Sequence, residues 1–328
     1  GDALTQRLDE VGDGLRRVLR VSDAVDELDG EQGGDGGVQT GQGDAEAGAG
    51  AVGVELGQGV DETGQFAPEA IERTRVALAD YVDEMKRENV TRVRMVATSA
   101  TRDASNREDF FAMTRELLGQ IQPGAVAEVI SGEEEAALSF AGATADLDPD
   151  RGPFCVIDLG GGSTEFVMED RAVSTQMGCV RITERFMRSD PPTEEETAAA
   201  RAYIDERIAE AAKVVPFAEA KTFVGCAGTF TTLSAIAQNL DSYDPERIHM
   251  SEIPFDRLRE VTADLRSKTA AQRRENPVVH PGRADVIGSG SAVVEQLMGF
   301  FEHDAGASRF IISEKDILDG IVAGLAEA

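Results

Sequence analysis

A glycine-rich turn between two apolar runs is the feature that most constrains the fold of this chain. Residues 154–159 (FCVIDL) are apolar up to Asp158, residues 160–162 are three glycines, and the hydroxyls of Ser163 and Thr164 lead into a second apolar run that ends at Met168. This pattern predicts a β-hairpin whose turn is built from bare backbone. Glycines tolerate positive φ and let main-chain N–H groups converge on an anion. The hairpin therefore predicts a phosphate site, and the alternative is an ordinary glycine turn.

Carboxylates stand on both sides of this turn. Asp158 lies at the end of the first strand and Glu165 follows the hydroxyls. Mg²⁺ prefers oxygen ligands and usually keeps several waters. We therefore predict that Asp158, supported by Glu165, holds a Mg²⁺ that neutralises phosphate oxygens.

A second strand also runs into a glycine at a helix start. Residues 222–226 are predicted to be a strand, and Gly228 and Thr229 open the following helix. Free N–H groups and the helix dipole make such a helix start favourable for anions. The alternative is a plain glycine turn before a Thr-capped helix.

Phosphoryl transfer to water would need, besides a phosphate site, positive charge and a base for the attacking water. Arg102 is a candidate for the charge, because its planar guanidinium meets two phosphate oxygens at once. Glu133, Glu134 and Glu135 are candidates for the base, since repulsion among neighbouring carboxylates raises the pKa of one of them. The alternative is that these three only interact with the dipole of the helix that they open.

Composition excludes several other functions. The net charge of -29 argues against nucleic acid and anionic membranes as partners. No apolar run is long enough for a membrane span and the first twenty residues lack the pattern of a secretory signal, so we expect a cytoplasmic protein. The three cysteines lack a CxxC spacing and are expected to be buried, reduced thiols. The three histidines lie far apart and suit surface loops better than nucleophilic or zinc chemistry.

The order of elements indicates an α/β protein with two domains, as expected for 328 residues. Pro68 is predicted to open a helix, residues 93–98 and 126–130 are predicted strands, and Thr193 with Glu196 forms a capping box for a long helix. Residues 1–55 differ: they are rich in Gly, Asp, Ala and Val and contain no Ile, Lys, Met or aromatic residue. Beyond a short helix around residues 15–25, we expect poor order there.

Six stretches together resemble the exopolyphosphatase and guanosine pentaphosphate phosphohydrolase family, particularly its short, two-domain actinobacterial members. They are LGQGVDETGQF (56–66), ATSATRDASN (97–106), VISGEEEA (129–136), VIDLGGGSTEF (156–166), VGCAGTFTTL (224–233) and HPGRADVI (280–287). In the last stretch, residues 280–285 are predicted to start a helix, which Arg283 could cap or salt-bridge.

The resemblance implies a duplicated actin-like, ribonuclease-H-like α/β fold with the active site in a cleft between two domains. It also implies hydrolysis of terminal phosphate from inorganic polyphosphate, or of the 5′ phosphate of pppGpp, with Mg²⁺ or Mn²⁺, and a possible homodimer. By the same resemblance, Glu135 is the general base and Arg102 contacts phosphate. The remaining site residues are predicted as phosphate-binding (Gly160, Gly161, Gly162, Ser163, Thr164, Gly228 and Thr229) or metal-associated (Asp158 and Glu165).

The resemblance is absent from residues 1–55, where family members carry an apolar strand and a first phosphate loop of the type DxGTNS. We predict that residues 1–55 replace those first strands, that 56–140 form the remainder of the first domain, and that 141–328 form the second, with the C-terminal helix packing back on the first. Our hypothesis for the atypical segment is an out-of-frame or mis-started translation. Because one phosphate loop is missing, a catalytically impaired polyphosphate or nucleotide binder is an alternative function.

Overall fold

The computed structural model describes residues 19–21, 63–97, 101, 104–169 and 171–327. Most of the atypical segment and Arg102 therefore lie outside the described residues. No helix within these ranges is long and apolar enough to cross a bilayer.

Eleven α-helices and nine strands with defined bounds lie within the described ranges. The helices are α1 (Pro68–Arg87), α2 (Arg107–Leu118), α3 (Gly132–Thr144), α4 (Cys179–Phe186), α5 (Glu194–Ala211), α6 (Ala227–Ala237), α7 (Pro245–Ile248), α8 (Phe255–Ser267), α9 (Ala270–Arg274), α10 (Ile287–Ala305) and α11 (Ile317–Glu327). The strands are β1 (Leu19–Val21), β2 (Met95–Ala97), β3 (Glu128–Val129), β4 (Phe154–Leu159), β5 (Thr164–Met168), β6 (Arg171–Thr175), β7 (Thr222–Cys226), β8 (Ser251–Pro254) and β9 (Arg309–Ile312).

Local sequence signals account for several of these boundaries. Pro68 begins α1 because its missing N–H would have no partner in the first turn anyway. Thr193 caps α5 by accepting a hydrogen bond from the amide of Glu196, whose side chain in turn accepts from the amide of Thr193. The structure confirms these two predicted helix starts.

A small parallel sheet has the strand order β1-β2-β3. One face of β2 carries Met95 and Ala97 into a core formed with α1 and α2, while Val96 points to the other face and packs with Ile317 and Ile321 of α11. The predicted helix around residues 15–25 is wrong at residues 19–21. These residues pair in parallel with β2 instead, because the sheet supplies hydrogen-bond partners that override a weak local preference.

The larger sheet has the order β6-β5-β4-β7-β9-β8, in which β4, β7 and β9 run parallel. Alternate residues of β4 face opposite sides, as the pleat requires. Ile157 and Leu159 lie in the main core, which also contains Ile204 of α5 and Val293 of α10. Val156 lies on the other face, in a cluster with residues of α3. The sheet is thus covered by helices on both sides.

Helices α3 and α11 pack closely against each other through glycines. A Cβ at Gly142 would lie 1.8 Å from the carbonyl oxygen of Asp316, and one at Gly320 would lie 2.0 Å from the carbonyl oxygen of Leu138. Only glycine permits this approach of two backbones. The contact fixes α3, which begins with the three glutamates, against α11. The domain boundary between residues 140 and 141 stays a prediction.

The last motif differs in detail from its prediction. Residues Pro281–Arg283 form a short 3₁₀ turn, and the long helix α10 begins only at Ile287. The side chain of His280 accepts a hydrogen bond from the amide of Gly282 at 3.2 Å and so caps the turn. The predicted helix start is therefore too early, because a separate 3₁₀ turn precedes the helix.

Candidate functional site

The carboxyl ends of β4 and β7 meet at one edge of the larger sheet, since the two strands are parallel and Asp158 pairs in register with Cys226. Strand β9 ends beside β7, where the amide of Ser313 donates to the carbonyl of Gly225 at 2.9 Å. The loops that follow these strands therefore lie side by side. They include the predicted glycine turn and the predicted Gly228–Thr229 helix start.

A row of polar side chains crosses the sheet at this edge. Asp158 and Glu165 are directly opposite each other in the antiparallel pair β4–β5, which places their side chains on the same face. Asp158 is only 8% exposed, and Glu165 accepts a hydrogen bond from the hydroxyl of Ser174 on β6 at 2.7 Å. Val156 lies two residues before Asp158, so the row faces the side that α3 covers.

The start of α3 presents its three glutamates in different surroundings. Ser131 caps the helix by accepting from the amide of Glu134 at 3.1 Å. Glu133 is exposed, and the Glu134 carboxylate forms an ion pair with Arg94 at 2.7 Å. Glu135 is half-buried, and the next residue, Ala136, packs in the same cluster as Cys226 and Val156. Of the three, Glu135 is the least exposed.

The glycine turn is fixed by the beginning of α4. The amides of Cys179 and Val180 donate to the carbonyls of Gly160 and Gly161 at 3.0 and 2.9 Å, and the amide of Gly178 donates to the carbonyl of Gly162 at 3.2 Å.

The carbonyls of the turn are thus used, whereas three of its amides are not. The N–H groups of Gly161, Gly162 and Ser163 donate to nothing in the described ranges. Three adjacent unpaired amides form a favourable seat for an anion.

Two expectations about the turn need correction. Positive φ occurs at Gly64, Gly124 and Gly306 but not at the three glycines of the turn, so their role is not to reach the left-handed region. Thr164 is fully buried, and its hydroxyl donates to the carbonyl of Met177 at 3.1 Å. That hydroxyl holds the hairpin together, and a phosphate contact for Thr164 has no support in this arrangement.

The second predicted anion seat lies at the start of α6. Ala227 has φ of 67°, a strained value for a residue with a side chain, and no side chain caps the helix. A Cβ at Gly228 would lie 2.2 Å from Cζ of Arg283, so the guanidinium rests against this glycine. Thr229 packs against Gly290 of α10.

The two predicted phosphate sites, the glycine turn and the start of α6, are linked through contacts with Gly290 of α10. A Cβ at Gly290 would lie 2.7 Å from the hydroxyl of Thr229 and 3.4 Å from Cβ of Cys179, the residue whose amide holds Gly160. The structure therefore brings the two predicted phosphate loops together around the first turn of α4.

The structure places two further arginines beside the predicted phosphate loops. Arg181 on α4 donates from Nε to the carbonyl of Gly162 at 2.8 Å. Arg283 lies against Gly228. The nearby Asp285 forms an ion pair with Arg274 and not with Arg283. Arg283 belongs to one of the six family-like stretches, but it lies more than fifty residues from Gly228, so the sequence does not predict their contact. Arg181 carried no sequence signal that distinguished it from other helical arginines.

The edge is strongly negative apart from these arginines. Burial raises the pKa of the Cys226 thiol well above its usual value, and the charges of Asp158, Asp316 and Asp319 raise it further. The thiol is therefore inert, and the prediction of buried, reduced cysteines is confirmed for all three. A phosphate entering this edge would meet carboxylates, so a cation is needed between them.

The residues present fit a hydrated divalent ion. Asp158 and Glu165 provide hard oxygen ligands side by side, which suits Mg²⁺ or Mn²⁺ bound through one or two carboxylates, waters and substrate phosphate. No group of three or more His, Cys, Asp or Glu within the described ranges could hold a metal without such help. The substrate would therefore complete the coordination.

Comparison with known proteins agrees with this arrangement. Residues 49–325 match the Ppx/GppA phosphatase family, a match that begins at residue 49 and so just inside the atypical segment. Exopolyphosphatase 2 of Mycobacterium tuberculosis is 52% identical over 277 residues, which cover 83% of this chain and 87% of that protein.

Solved structures show the same fold. The crystal structure of an exopolyphosphatase-like protein superposes with a TM-score of 0.73 at 38% identity, covering 84% of this chain and 89% of that one. The Ppx/GppA family member of Aquifex aeolicus gives 0.71 at 30% identity, covering 84% and 87%. The predicted actin-like α/β fold class is confirmed, and the chain belongs to the Ppx/GppA phosphatase family.

Proposed function

We propose that this protein is an exopolyphosphatase, which hydrolyses the terminal phosphoanhydride bond of inorganic polyphosphate with the help of Mg²⁺ or Mn²⁺. The observation that carries the proposal is the meeting, at one sheet edge, of three unpaired amides at residues 161–163 with the carboxylate pair Asp158–Glu165. One part can seat a phosphoryl group and the other can hold the cation that this group requires. The similarity to the mycobacterial exopolyphosphatase supports the choice of substrate.

The terminal phosphoryl group would be held by the amides of Gly161, Gly162 and Ser163 and by the hydroxyl of Ser163. Gly160 shapes the turn by donating its amide to the carbonyl of Ser163 at 3.0 Å. Gly228 and Thr229 would face the same group from the start of α6, where free helix N–H groups favour anions. These contacts are directed at oxygens whose charge increases during transfer.

Glu135 is proposed to accept a proton from the attacking water. The water oxygen forms a bond to the terminal phosphorus, the bond from that phosphorus to the bridging oxygen breaks, and the shortened polyphosphate leaves with the bridging oxygen. Asp158 and Glu165 would hold a divalent ion, whose charge would offset the charge on the phosphate oxygens. Arg102, which lies outside the described residues, stays a predicted phosphate contact.

The direct test is release of orthophosphate from long-chain polyphosphate by the purified protein, with Mg²⁺ and with EDTA. We expect release with Mg²⁺ and none with EDTA. If orthophosphate is released faster from pppGpp than from polyphosphate, pppGpp is the preferred substrate. Tight polyphosphate binding without release would instead support the impaired binder. Homodimer formation stays a prediction from the resemblance.

A further inference from the structure

Arg181 is a half-buried arginine directly beside the glycine turn, and it takes no part in the mechanism derived above. We propose that Arg181 binds the second phosphoryl group of the polyphosphate chain, next to the terminal group held by the amides of residues 161–163. This inference rests on the proposed function and adds to it the direction in which the rest of the substrate leaves the turn.

The contact of Arg181 with the turn uses only part of its guanidinium. Nε donates to the carbonyl of Gly162 at 2.8 Å, and a Cβ at Gly162 would lie 3.8 Å from Nη2. The two Nη groups have no hydrogen-bond or ion-pair partner among the described residues. These nitrogens are not among the buried, unpaired donors, so they are open to solvent and a ligand can reach them.

Arg181 has no carboxylate partner among the described residues, although acidic residues outnumber basic ones by 61 to 32 in the chain. Several other arginines in the described ranges are paired with carboxylates, for example Arg94, Arg201, Arg257 and Arg266. A half-buried guanidinium without a counter-ion loses hydration and gains little in return. Its position therefore favours an anionic ligand.

The tether to Gly162 also orders the side chain in advance. With Nε fixed on the Gly162 carbonyl, the outer edge of the guanidinium is held beside Gly162, one of the three residues whose amides are unpaired. A phosphoryl group on these amides and its neighbour along the chain can thus be contacted together. Preorganised arginine loses less conformational entropy on binding than a free surface side chain does.

The variant Arg181→Gln separates the tether from the ligand contact. The side-chain nitrogen of glutamine occupies about the position of the arginine Nε, so it keeps a donor for the Gly162 carbonyl and removes only the outer nitrogens. Arg185→Gln is the matched control, because Arg185 lies one turn further on α4 and packs over the rings of Phe186 and Tyr203 instead. Both variants change the net charge equally.

The measurement is the KM for tripolyphosphate together with the inhibition constant of orthophosphate, which occupies only the terminal seat. For Arg181→Gln we expect KM to rise about tenfold or more, as for loss of a charge-assisted hydrogen bond. The inhibition constant and kcat should stay within about twofold, and Arg181→Lys, which keeps the charge but loses the fork, should be intermediate. Arg185→Gln should behave as the wild type does.

Two results would overturn the inference while leaving the proposed function intact. In the first, KM and the inhibition constant rise together, which means that Arg181 acts through the turn. In the second, neither changes. If the wild type releases no phosphate, the proposed function fails, and titration calorimetry with tripolyphosphate decides about Arg181. Weaker binding by Arg181→Gln than by the wild type would support the inference, and equal or absent binding would refute it.

Discussion

Replacing Gly178 by alanine tests how the glycine turn is held. The φ of Gly178 is -76°, so alanine fits the backbone and, with free space around it, would stabilise the protein by roughly 0.4–1 kcal/mol. The space is occupied, however: a Cβ there would lie 2.0 Å from the carbonyl oxygen and 2.2 Å from the carbonyl carbon of Gly161. Since both atoms belong to backbone, the turn and α4 must separate.

The separation has a cost that can be approximated from its parts. Overpacking costs about 1–3 kcal/mol, and weakening the bonds from the amides of Gly178 and Cys179 adds about 1 kcal/mol each. After the backbone gain is subtracted, we expect Gly178→Ala to destabilise by about 3 kcal/mol and to lower Tm by about 4 °C for a chain of this length. Phosphate release should fall with it, because the unpaired amides move.

Far-UV circular dichroism is the suitable assay, since the chain has no tryptophan. The control is Gly299→Ala on the exposed side of α10, where a Cβ meets nothing within 4 Å. That variant should gain roughly 0.5–1 kcal/mol, because glycine inside a helix is unfavourable. If Gly178→Ala is as stable as Gly299→Ala, the packing of the turn on α4 is refuted.

Three further predictions concern the site and its surroundings. Asp158→Asn should weaken Mn²⁺ binding in the presence of orthophosphate at least tenfold by electron paramagnetic resonance; unchanged binding would remove Asp158 from the metal site. Burial raises the pKa of Glu314, so the contribution of this residue to stability is lost as pH rises from about 4.5 through the folded-state pKa. Glu314→Gln keeps an acceptor for Tyr243 and should lose less stability than the wild type between pH 5 and 8 in urea titrations. Parallel pH profiles of the two proteins would contradict this. The side chain of Glu295 is 12% exposed and lies between two arginines, so Glu295→Gln should lower the free energy of unfolding by about 1–3 kcal/mol. Asp256→Asn, at a surface ion pair, should change it by no more than about 0.5 kcal/mol. Equal losses of stability in the two variants would contradict this contrast.

The sequence predicts the larger sheet well because its signals are local. The β4–β5 hairpin, the strand at residues 222–226 and the capping box at Thr193 each depend on residues close together in the chain. The region from Ser251 to Arg274 received no interpretation, although it forms β8, α8 and α9. Strand β8 is held by pairing with β9, more than fifty residues further on, and such pairing leaves no local pattern.

The candidate site shows the same limit. The glycines and the carboxylates were predicted from motif and resemblance, and the order of β4 and β7 brings their loops together. The roles of Gly178 and Gly228 depend instead on how closely Gly161 and Arg283 approach them in space. Likewise, the local pattern does not distinguish the three adjacent glutamates. The resemblance singles out Glu135, and the structure adds that Glu133 is exposed and Glu134 is ion-paired.

That distinction provides the most direct test of the account. Glu135→Gln and Glu133→Gln change the same charge on the same turn of α3, so they differ only in position. With Mg²⁺ and long-chain polyphosphate, we expect Glu135→Gln to lower kcat by at least about 100-fold, the usual contribution of a general base, while Tm stays unchanged. Glu133→Gln should retain the wild-type rate. Equal rates for the two variants, with both proteins folded, would contradict the assignment of Glu135 as the base and with it the proposed mechanism.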